Sequence, residues 1–324
     1  MKAIRVHAYG GPEVLCLDEI EVGAPGPGQA LVRHEAIGVN FIDVYHRTGL
    51  YPSPTGLPFV LGCEGAGVVE AVGEGVSEVK PGDRVAYAGP IGAYAEARLV
   101  TASRLVPLPD GIDARTAAAA MLNGMTAQYL LRQTFRVEEG HTILIHAAAG
   151  GVGLIAGQWA QHLGATVIGT AGGPEKCALA LRNGYDHVID YRTENFAERV
   201  REITGGKGCD VVYDSIGRDT FPASLDCLKP RGLFVSFGNA SGPVEGVNLG
   251  ILSQKGSLYA TRPTLYAYIN TRDELLATAG DLFDVIDRSI VDIAVNQTFA
   301  LGEAGAAHRA LESRATTGST LLLP

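Results

Sequence analysis

Residues 142–164 read TILIHAAAGGVGLIAGQWAQHLG, and this stretch decides the fold. TILIH is a short apolar run with β-branched residues, and LIAGQWAQHLG has helical spacing. The turn between them, HAAAGGVG (146–153), carries a glycine cluster in the place where a dinucleotide-binding G-x-G-x-x-G belongs. Ala148 stands where the first glycine of that fingerprint is expected. A methyl group is tolerable there if φ stays negative. Gly150 lets the backbone approach a diphosphate, and Gly153 lets the helix pack closely on the strand. The first helical amides, at Gly151 and Val152, offer N–H groups and the positive end of the helix dipole to an anion. A packing turn without a ligand is the alternative.

Strand and helix alternate outward from this turn. Apolar strands are expected at 143–147, 166–170, 187–190, 211–214, 233–237 and 257–261, with helix-compatible stretches at 154–164 and 174–184. Repeated βα units of this length imply a parallel sheet with helices on both faces. Six strands are the number a doubly wound Rossmann domain uses. Residues 1–120 look different: short apolar runs such as 30–39 and 65–73 alternate with turns such as GAPGPG and KPGDR. That half is expected to be β-rich. An Ala-rich helix is expected over 113–133. After Arg262-Pro263 come a helix at about 272–288, another near 302–313, and a final strand near 319–323.

The end of the second Rossmann strand selects the cofactor. NAD-binding proteins usually place an acid there to accept the ribose hydroxyls. Here the strand ends Thr170-Ala171-Gly172-Gly173, without an acid, which leaves Thr170 and Gly172 as the candidate cofactor contacts, and Lys176 follows in the first turn of the next helix. A cation is unfavourable at a helix N-terminus, so an anion beside Lys176 would account for it. The 2′-phosphate of NADPH is that anion; a solvated surface lysine is the alternative.

Composition limits what else the protein does. The 324 residues imply two domains. The 42 glycines, about twice the usual share, suit a chain with many tight turns. A net charge of −9 and no basic cluster argue against nucleic acid as a partner. No run approaches the roughly 20 apolar residues of a membrane span, and MKAIRVHAYGG lacks the apolar core of a signal peptide. The five cysteines are widely and irregularly spaced, which indicates neither a disulfide framework nor a structural zinc. A soluble, reduced, cytoplasmic protein is expected. Neither an H-E-x-x-H spacing nor a G-x-S-x-G elbow occurs, and the histidines read as surface or satisfied core residues, His46 excepted as a candidate near the site.

The motifs GVNFIDVYHRTGLYP (38–52), GCEGAGVVEAVG (62–73), VKPGDRV (79–85), HAAAGGVG (146–153), VVYDSIG (211–217), LFVSFGNASG (233–242) and LESRATTGS (311–319) resemble the medium-chain dehydrogenase/reductase superfamily. The resemblance is closest to its zinc-free, zeta-crystallin-like branch, the NADPH:quinone oxidoreductases. It implies a GroES-like β-rich substrate domain from 1 to 122, completed by 264–324. A Rossmann NADP-binding domain is implied over 123–263, with the site in the cleft and a homodimer as the assembly. The zinc-dependent relatives need a Cys and a His where this chain has Asn40 and Cys63. One thiol cannot form a three-ligand zinc site, so no metal is expected and alcohol oxidation is not the expected reaction. A quinone, or a conjugated enone, takes hydride without a Lewis acid.

Residue by residue, the resemblance puts Asn40 and Asp43 near the nicotinamide. Tyr45 and Tyr51 become candidates to line a quinone pocket, with aromatic packing as the alternative. Thr126 resembles the family's cofactor contact from the helix after the first domain. Tyr191 and Ser215 resemble adenosine-side contacts; Phe237, Gly238 and Asn239 resemble contacts to the nicotinamide half. Arg314 resembles the arginine that joins Lys176 at the cofactor phosphate. The sequence leaves two rivals to a quinone reductase: an enone or enoyl reductase with the same cofactor, and a low-turnover NADPH-binding or structural protein.

Overall fold

The structure is a computed structural model that describes residues 1–324. It divides into two compact units: Met1–Met125 with Ile269–Asp287 and Ile293–Pro324, and Thr126–Tyr268 with Arg288–Asp292.

The second unit holds a six-stranded parallel sheet made of β9 (Thr142–Ile145), β10 (Thr166–Ala171), β11 (His187–Asp190), β12 (Cys209–Asp214), β13 (Leu228–Ser236) and β14 (Tyr259–Thr261). Their order is β11-β10-β9-β12-β13-β14, every neighbouring pair parallel. This is the doubly wound order 3-2-1-4-5-6, which puts the topological switch between β9 and β12. Ile143, Leu144, Ile145, Val211 and Val212 are buried, as strands covered on both faces require. The helices of this unit are α3 (Gly151–His162), α4 (Pro174–Leu181), α5 (Phe196–Ile203) and the short α6 (Ala223–Asp226), α7 (Gly250–Gln254) and α8 (Leu265–Tyr268).

The first unit is β-rich, as its punctuated sequence suggests. A small sheet pairs β1 (Lys2–Val6) with β2 (Leu15–Glu19) and β4 (Phe59–Val60). The larger sheet runs β15 (Val295–Ala300), β16 (Ser319–Leu323), β3 (Gln29–Val39), β5 (Glu64–Val72), β6 (Arg84–Ala88), β8 (Val106–Pro107), with β7 (Ala97–Thr101) also on β3. Ile4, Val32, Ile37, Leu61, Val85 and Leu322 fill one core between them. The C-terminal segment is thus woven into the N-terminal sheet: Thr320–Leu322 pair antiparallel with Ile37–Val39.

Besides most of the Ala-rich helix, this part of the chain holds α1 (Phe41–Thr48), α9 (Arg272–Asp287) and α10 (Ala304–Glu312). The Ala-rich helix α2 (Ala114–Tyr129) ends in a single π-helical turn, Leu130–Thr134, where the sequence suggests uninterrupted helix to 133. Among the elements that the sequence pattern does not mark are α1 and β15. Strand β15 is half exposed on alternate residues and pairs with β16 alone, so it lacks a continuous apolar run.

Candidate functional site

The glycine turn joins β9 to α3. Ala147 takes the left-handed conformation (φ 55°), and Ala148 stays outside it, so its methyl group costs no backbone strain. That methyl is fully buried and fits because Gly169 faces it; a Cβ on Gly169 would fall 2.7 Å from Ala148 Cβ. Gly150 is the N-cap of α3 in extended conformation. Gly151 and Val152 open the helix half-exposed. At Gly153 a Cβ would lie 2.4 Å from the Ala147 carbonyl oxygen and 2.7 Å from that of Ala148. The close approach of helix and strand therefore needs glycine there.

A buried polar chain ties the strand ends beneath this turn. His146 Nδ1 meets Thr170 Oγ1 at 2.9 Å, and His146 Nε2 meets Ser224 Oγ at 3.0 Å. The Ser224 hydroxyl donates to Asp214 Oδ2 (2.9 Å), as does that of Thr220 (2.7 Å), while the amides of Ile216 and Gly217 donate to Asp214 Oδ1. A serine, a histidine and an aspartate therefore do meet, though no sequence motif marks them. The serine gives its proton to the carboxylate and all three side chains are buried, so the set is structural rather than nucleophilic. Burial holds His146 below its ordinary value. The chain also corrects one expectation. The Thr170 hydroxyl is spent on His146 inside the core; its carbonyl accepts from the Ala148 amide (2.9 Å), so Thr170 shapes the turn and offers no side-chain donor.

At the end of β10, a Cβ on Gly172 would fall 2.5 Å from the Tyr191 hydroxyl and 3.2 Å from Arg192 Nε. One on Gly173 (φ 95°) would fall 3.2 Å from Arg192 Nη1. Tyr191 and Arg192 thus lie over the Gly172–Gly173 turn, with Lys176 two residues into α4. Asp190, at the end of β11, accepts from the amides of Gly173 (2.9 Å) and Arg192 (3.0 Å). These hydrogen bonds hold its carboxyl below the ordinary value and leave it bonded to backbone rather than poised for a ribose. Arg192 is the residue the sequence reading missed; its signal was a cation directly after a candidate contact. Beyond β12 and β13, Ser215 and Gly238 touch: a Cβ on Gly238 would fall 2.5 Å from Ser215 O. The Ala240 amide donates to that same oxygen (3.1 Å). Ser215, Phe237, Gly238 and Asn239 are therefore gathered at the carboxyl ends of adjacent strands, where open α/β sheets bind ligands. Thr126 lies buried on α2.

In the other unit, Asn40 is the N-cap of α1 and Asp43 its third helical residue. The Asn40 backbone N–H donates to Asp43 Oδ2 (2.8 Å), one half of a capping box. The Asn40 side chain donates from Nδ2 to Glu64 Oε2 (2.7 Å), and Glu64 Oε1 accepts from the Leu122 amide (2.5 Å). Asp43 is wholly buried. Its Oδ2 also accepts from the Tyr94 hydroxyl (3.0 Å), and Oδ1 lacks a well-formed hydrogen bond, with the Cys63 thiol as its neighbour. Burial pushes Asp43 up to about 7 and Glu64 up to about 8, each opposed by these hydrogen bonds. Burial and the Asp43 charge push the Cys63 thiol well above its ordinary value. Asp43 therefore shapes the start of α1 and presents no atom to a ligand. Tyr45 and Tyr51 meet edge to face, ring centroids 5.2 Å apart; Tyr45 is nearly buried and Tyr51 half-buried. His46 turns Nδ1 to the Tyr51 carbonyl oxygen (2.9 Å). Arg314 follows the last turn of α10 in the left-handed conformation (φ 59°), a position that favours glycine.

A zinc site does not fit these residues. Asn40 and Cys63, which stand where the zinc-dependent dehydrogenases carry ligands, are committed to Glu64 and to the neighbourhood of Asp43. No three His, Cys, Asp or Glu side chains are gathered in a way that could hold a metal ion. A dinucleotide does fit the other unit, on the α3 N-terminus at Gly150, Gly151 and Val152 and the Arg192 guanidinium beside Gly172 and Gly173.

Comparison with known proteins agrees with this geometry. Residues 26–110 match the alcohol dehydrogenase GroES-like domain and residues 151–283 match the zinc-binding dehydrogenase family model. A quinone oxidoreductase of Pseudomonas aeruginosa is 60% identical over 100% of this chain and 99% of its own. A 2-haloacrylate reductase of Burkholderia is 49% identical over 99% of this chain and 98% of its own. The structure of Escherichia coli quinone oxidoreductase complexed with NADPH superposes with a TM-score of 0.98 at 52% identity, covering 100% of both chains. The chain belongs to the quinone oxidoreductase family of the medium-chain dehydrogenases/reductases.

Proposed function

We propose that the protein is an NADPH-dependent quinone reductase that works without zinc. The observation that carries this reading is the likeness to quinone oxidoreductases over the full chain at 60% identity. When bound, NADPH supplies a hydride from C4 of its nicotinamide. This chain's residues do the rest. The α3 amides and Gly150 take the diphosphate, and Lys176, Tyr191, Arg192 and Arg314 take the 2′-phosphate. Thr126, Ser215, Phe237, Gly238 and Asn239 hold the remainder of the cofactor. Asn40 donates to the oxygen that gains charge as the quinone is reduced, and Tyr45 with Tyr51 lines the acceptor's pocket. Asp43 acts from beneath, as a positioning residue.

The likeness to a 2-haloacrylate reductase supports a second reading, reduction of an electron-poor alkene by the same residues. NADPH oxidation followed with quinones, 2-haloacrylates, alkenals and enoyl-thioesters decides between them. We expect the highest kcat/KM with a quinone, unchanged by a chelator. A haloacrylate as the best acceptor replaces the quinone reading. NADPH binding without turnover of any acceptor replaces both with a binding protein.

A cytoplasmic homodimer is part of the proposal. Five free thiols suit a reducing compartment, and no helix is long and apolar enough to cross a membrane. Strand β14 pairs only with β13, and its Tyr259 is 63% exposed beside an exposed Ala260; Leu249, in the preceding segment, is 74% exposed. An apolar open edge of this kind pairs readily with a second copy. Light scattering should give twice the 33.9 kDa chain mass for the wild type and the single mass for Tyr259→Lys with Leu249→Lys. A variant that stays dimeric places the interface elsewhere.

A further inference from the structure

We infer that Glu64 is a positioning residue that sets which way the side-chain amide of Asn40 faces. The inference rests on the reading of Asn40 as a donor to the quinone oxygen. Its basis is the one-sided environment of the Glu64 carboxyl. Oε1 is taken by the Leu122 amide, which leaves Oε2 alone against the Asn40 amide at 2.7 Å. The carboxyl is closely seated against the β3 backbone. Gly38, on β3, would put a Cβ 2.1 Å from Oε2 and 2.5 Å from the Ala118 carbonyl oxygen, so the missing side chain is the space that the carboxyl fills.

When Oε2 is ionised it accepts from Asn40 Nδ2, which spends one of the amide's two N–H donors and leaves Oδ1 turned away. When Oε2 carries a proton, that arrangement would set two donors against each other. The amide then turns about its Cβ–Cγ bond, Oδ1 accepts from Glu64, and both N–H donors point away from it. The two orientations have the same shape, because the O and N of a primary amide are nearly isosteric. A quinone oxygen gaining negative charge needs donors, so the protonated carboxyl gives the productive orientation. Burial favours that state at neutral pH, since it pushes Glu64 up to about 8.

The groups around Glu64 act on this state in both directions, with burial the largest cause. Asp43, from α1, raises it further through its charge, and the hydrogen bonds from the Leu122 amide, on α2, and from the Asn40 side chain lower it. Cys63, the residue before it, is held protonated, as is Tyr87 of β6, which burial pushes up to about 12. His34 of β3, bonded to Tyr87 at 2.7 Å, is pushed down to about 4 and stays neutral. Arg98 of β7 acts on Cys63 and Tyr87.

The test follows the Asn40 side-chain amide by NMR in the full-length protein labelled with ¹⁵N-asparagine, its signals assigned by their loss in Asn40→Ser. In the wild type they should shift with a midpoint near pH 8, and in Glu64→Gln they should be constant. The glutamine donates to Oδ1 permanently. Turnover of a quinone should fall with the same midpoint in the wild type. Glu64→Gln should keep kcat within about twofold and lose the alkaline limb, whereas Glu64→Ala should lower kcat on the order of 100-fold with KM for NADPH unchanged. Amide signals that ignore pH in the wild type, that titrate equally in Glu64→Gln, or that shift near pH 7 and stop doing so in Asp43→Asn overturn the inference. A Glu64→Gln variant as inactive as Glu64→Ala does so too. If the wild type reduces no quinone, the functional reading falls, and the amide titration still decides the role of Glu64.

Discussion

Replacing Lys176 and Arg314 together by alanine should weaken NADPH binding on the order of 100-fold and leave NADH within about threefold. The two cofactors differ only in the 2′-phosphate, so the ratio of their dissociation constants isolates the groups that bind it. A charge-assisted hydrogen bond contributes about 1.5–3 kcal/mol. Arg314 is exposed and Lys176 half-exposed, so screening puts each near the lower end. Two such losses make about 3 kcal/mol, which is two decades in affinity. The net charge of −9 supplies no general attraction to replace them. Both residues also sit where a side chain is otherwise unwelcome: Lys176 in the first turn of α4, against the helix dipole, and Arg314 in a left-handed position (φ 59°). Adding Arg192→Ala should extend the loss for NADPH alone. Titration by cofactor fluorescence measures all three proteins; equal losses for NADPH and NADH would falsify the assignment of these cations to the 2′-phosphate.

How much of this was legible in the sequence varies with how local the cause is. The inner Rossmann strands were readable because strands buried on both faces show as unbroken apolar runs, and the end of each run marks where a ligand can sit. Helix α1 was not, although its caps are present: Asn40 and Asp43 three apart, and Gly49 just beyond the last turn. Its eight residues mix β-branched and aromatic side chains, and the apolar period is too short to separate helix from strand. Asp43 was legible as important but not as buried. Its burial comes from Tyr94 and Cys63, distant in the chain. Glu64 reads as a lone acid among glycines, and what makes it unusual is the gap at Gly38 and an amide from α2. Ala148 gave the opposite case, an apparent defect in the fingerprint that Gly169 accommodates from the next strand. Structure defined by a local turn could be read; contacts defined by which strands and helices meet could not.

The same distant contacts govern the stability of the N-terminal unit, and Arg47→Met should destabilise it by about 2–4 kcal/mol at pH 8. The Arg47 guanidinium is 1% exposed. It donates from Nη1 and Nη2 to Glu312 (2.8 and 2.7 Å), from Nε to the Gly10 carbonyl oxygen (3.0 Å), and from Nη1 to His308 Nδ1 (2.9 Å). His308 in turn meets the Tyr94 hydroxyl at 3.1 Å, and Tyr94 donates to Asp43. The donors run in one direction, Arg47 to His308 to Tyr94 to Asp43, and fix α1 against α10. Methionine fills much of the volume but leaves Gly10 O and His308 Nδ1 without their donor. Glu312, with a third of its side chain exposed, can turn to water, which keeps the loss below that of a fully buried charge left alone.

The loss should also depend on pH, with a definite sign. Burial and the Arg47 charge push His308 down to about 3, below its unfolded value of about 6.5. In the wild type the unfolded chain therefore binds a proton at this residue that the folded chain refuses, and stability falls as pH drops from 6.5 towards 3. Arg47→Met removes the charge, so His308 can accept a proton and replace part of the lost pairing with Glu312. Burial remains, so the difference between variant and wild type should shrink by up to about 1 kcal/mol between pH 8 and pH 5.5. Urea unfolding of both proteins at the two pH values measures this. A cost below about 1 kcal/mol at pH 8 would mean that the guanidinium does not hold the two helices together. A cost that stays constant or grows towards pH 5.5 would mean that burial, and not Arg47, keeps His308 neutral.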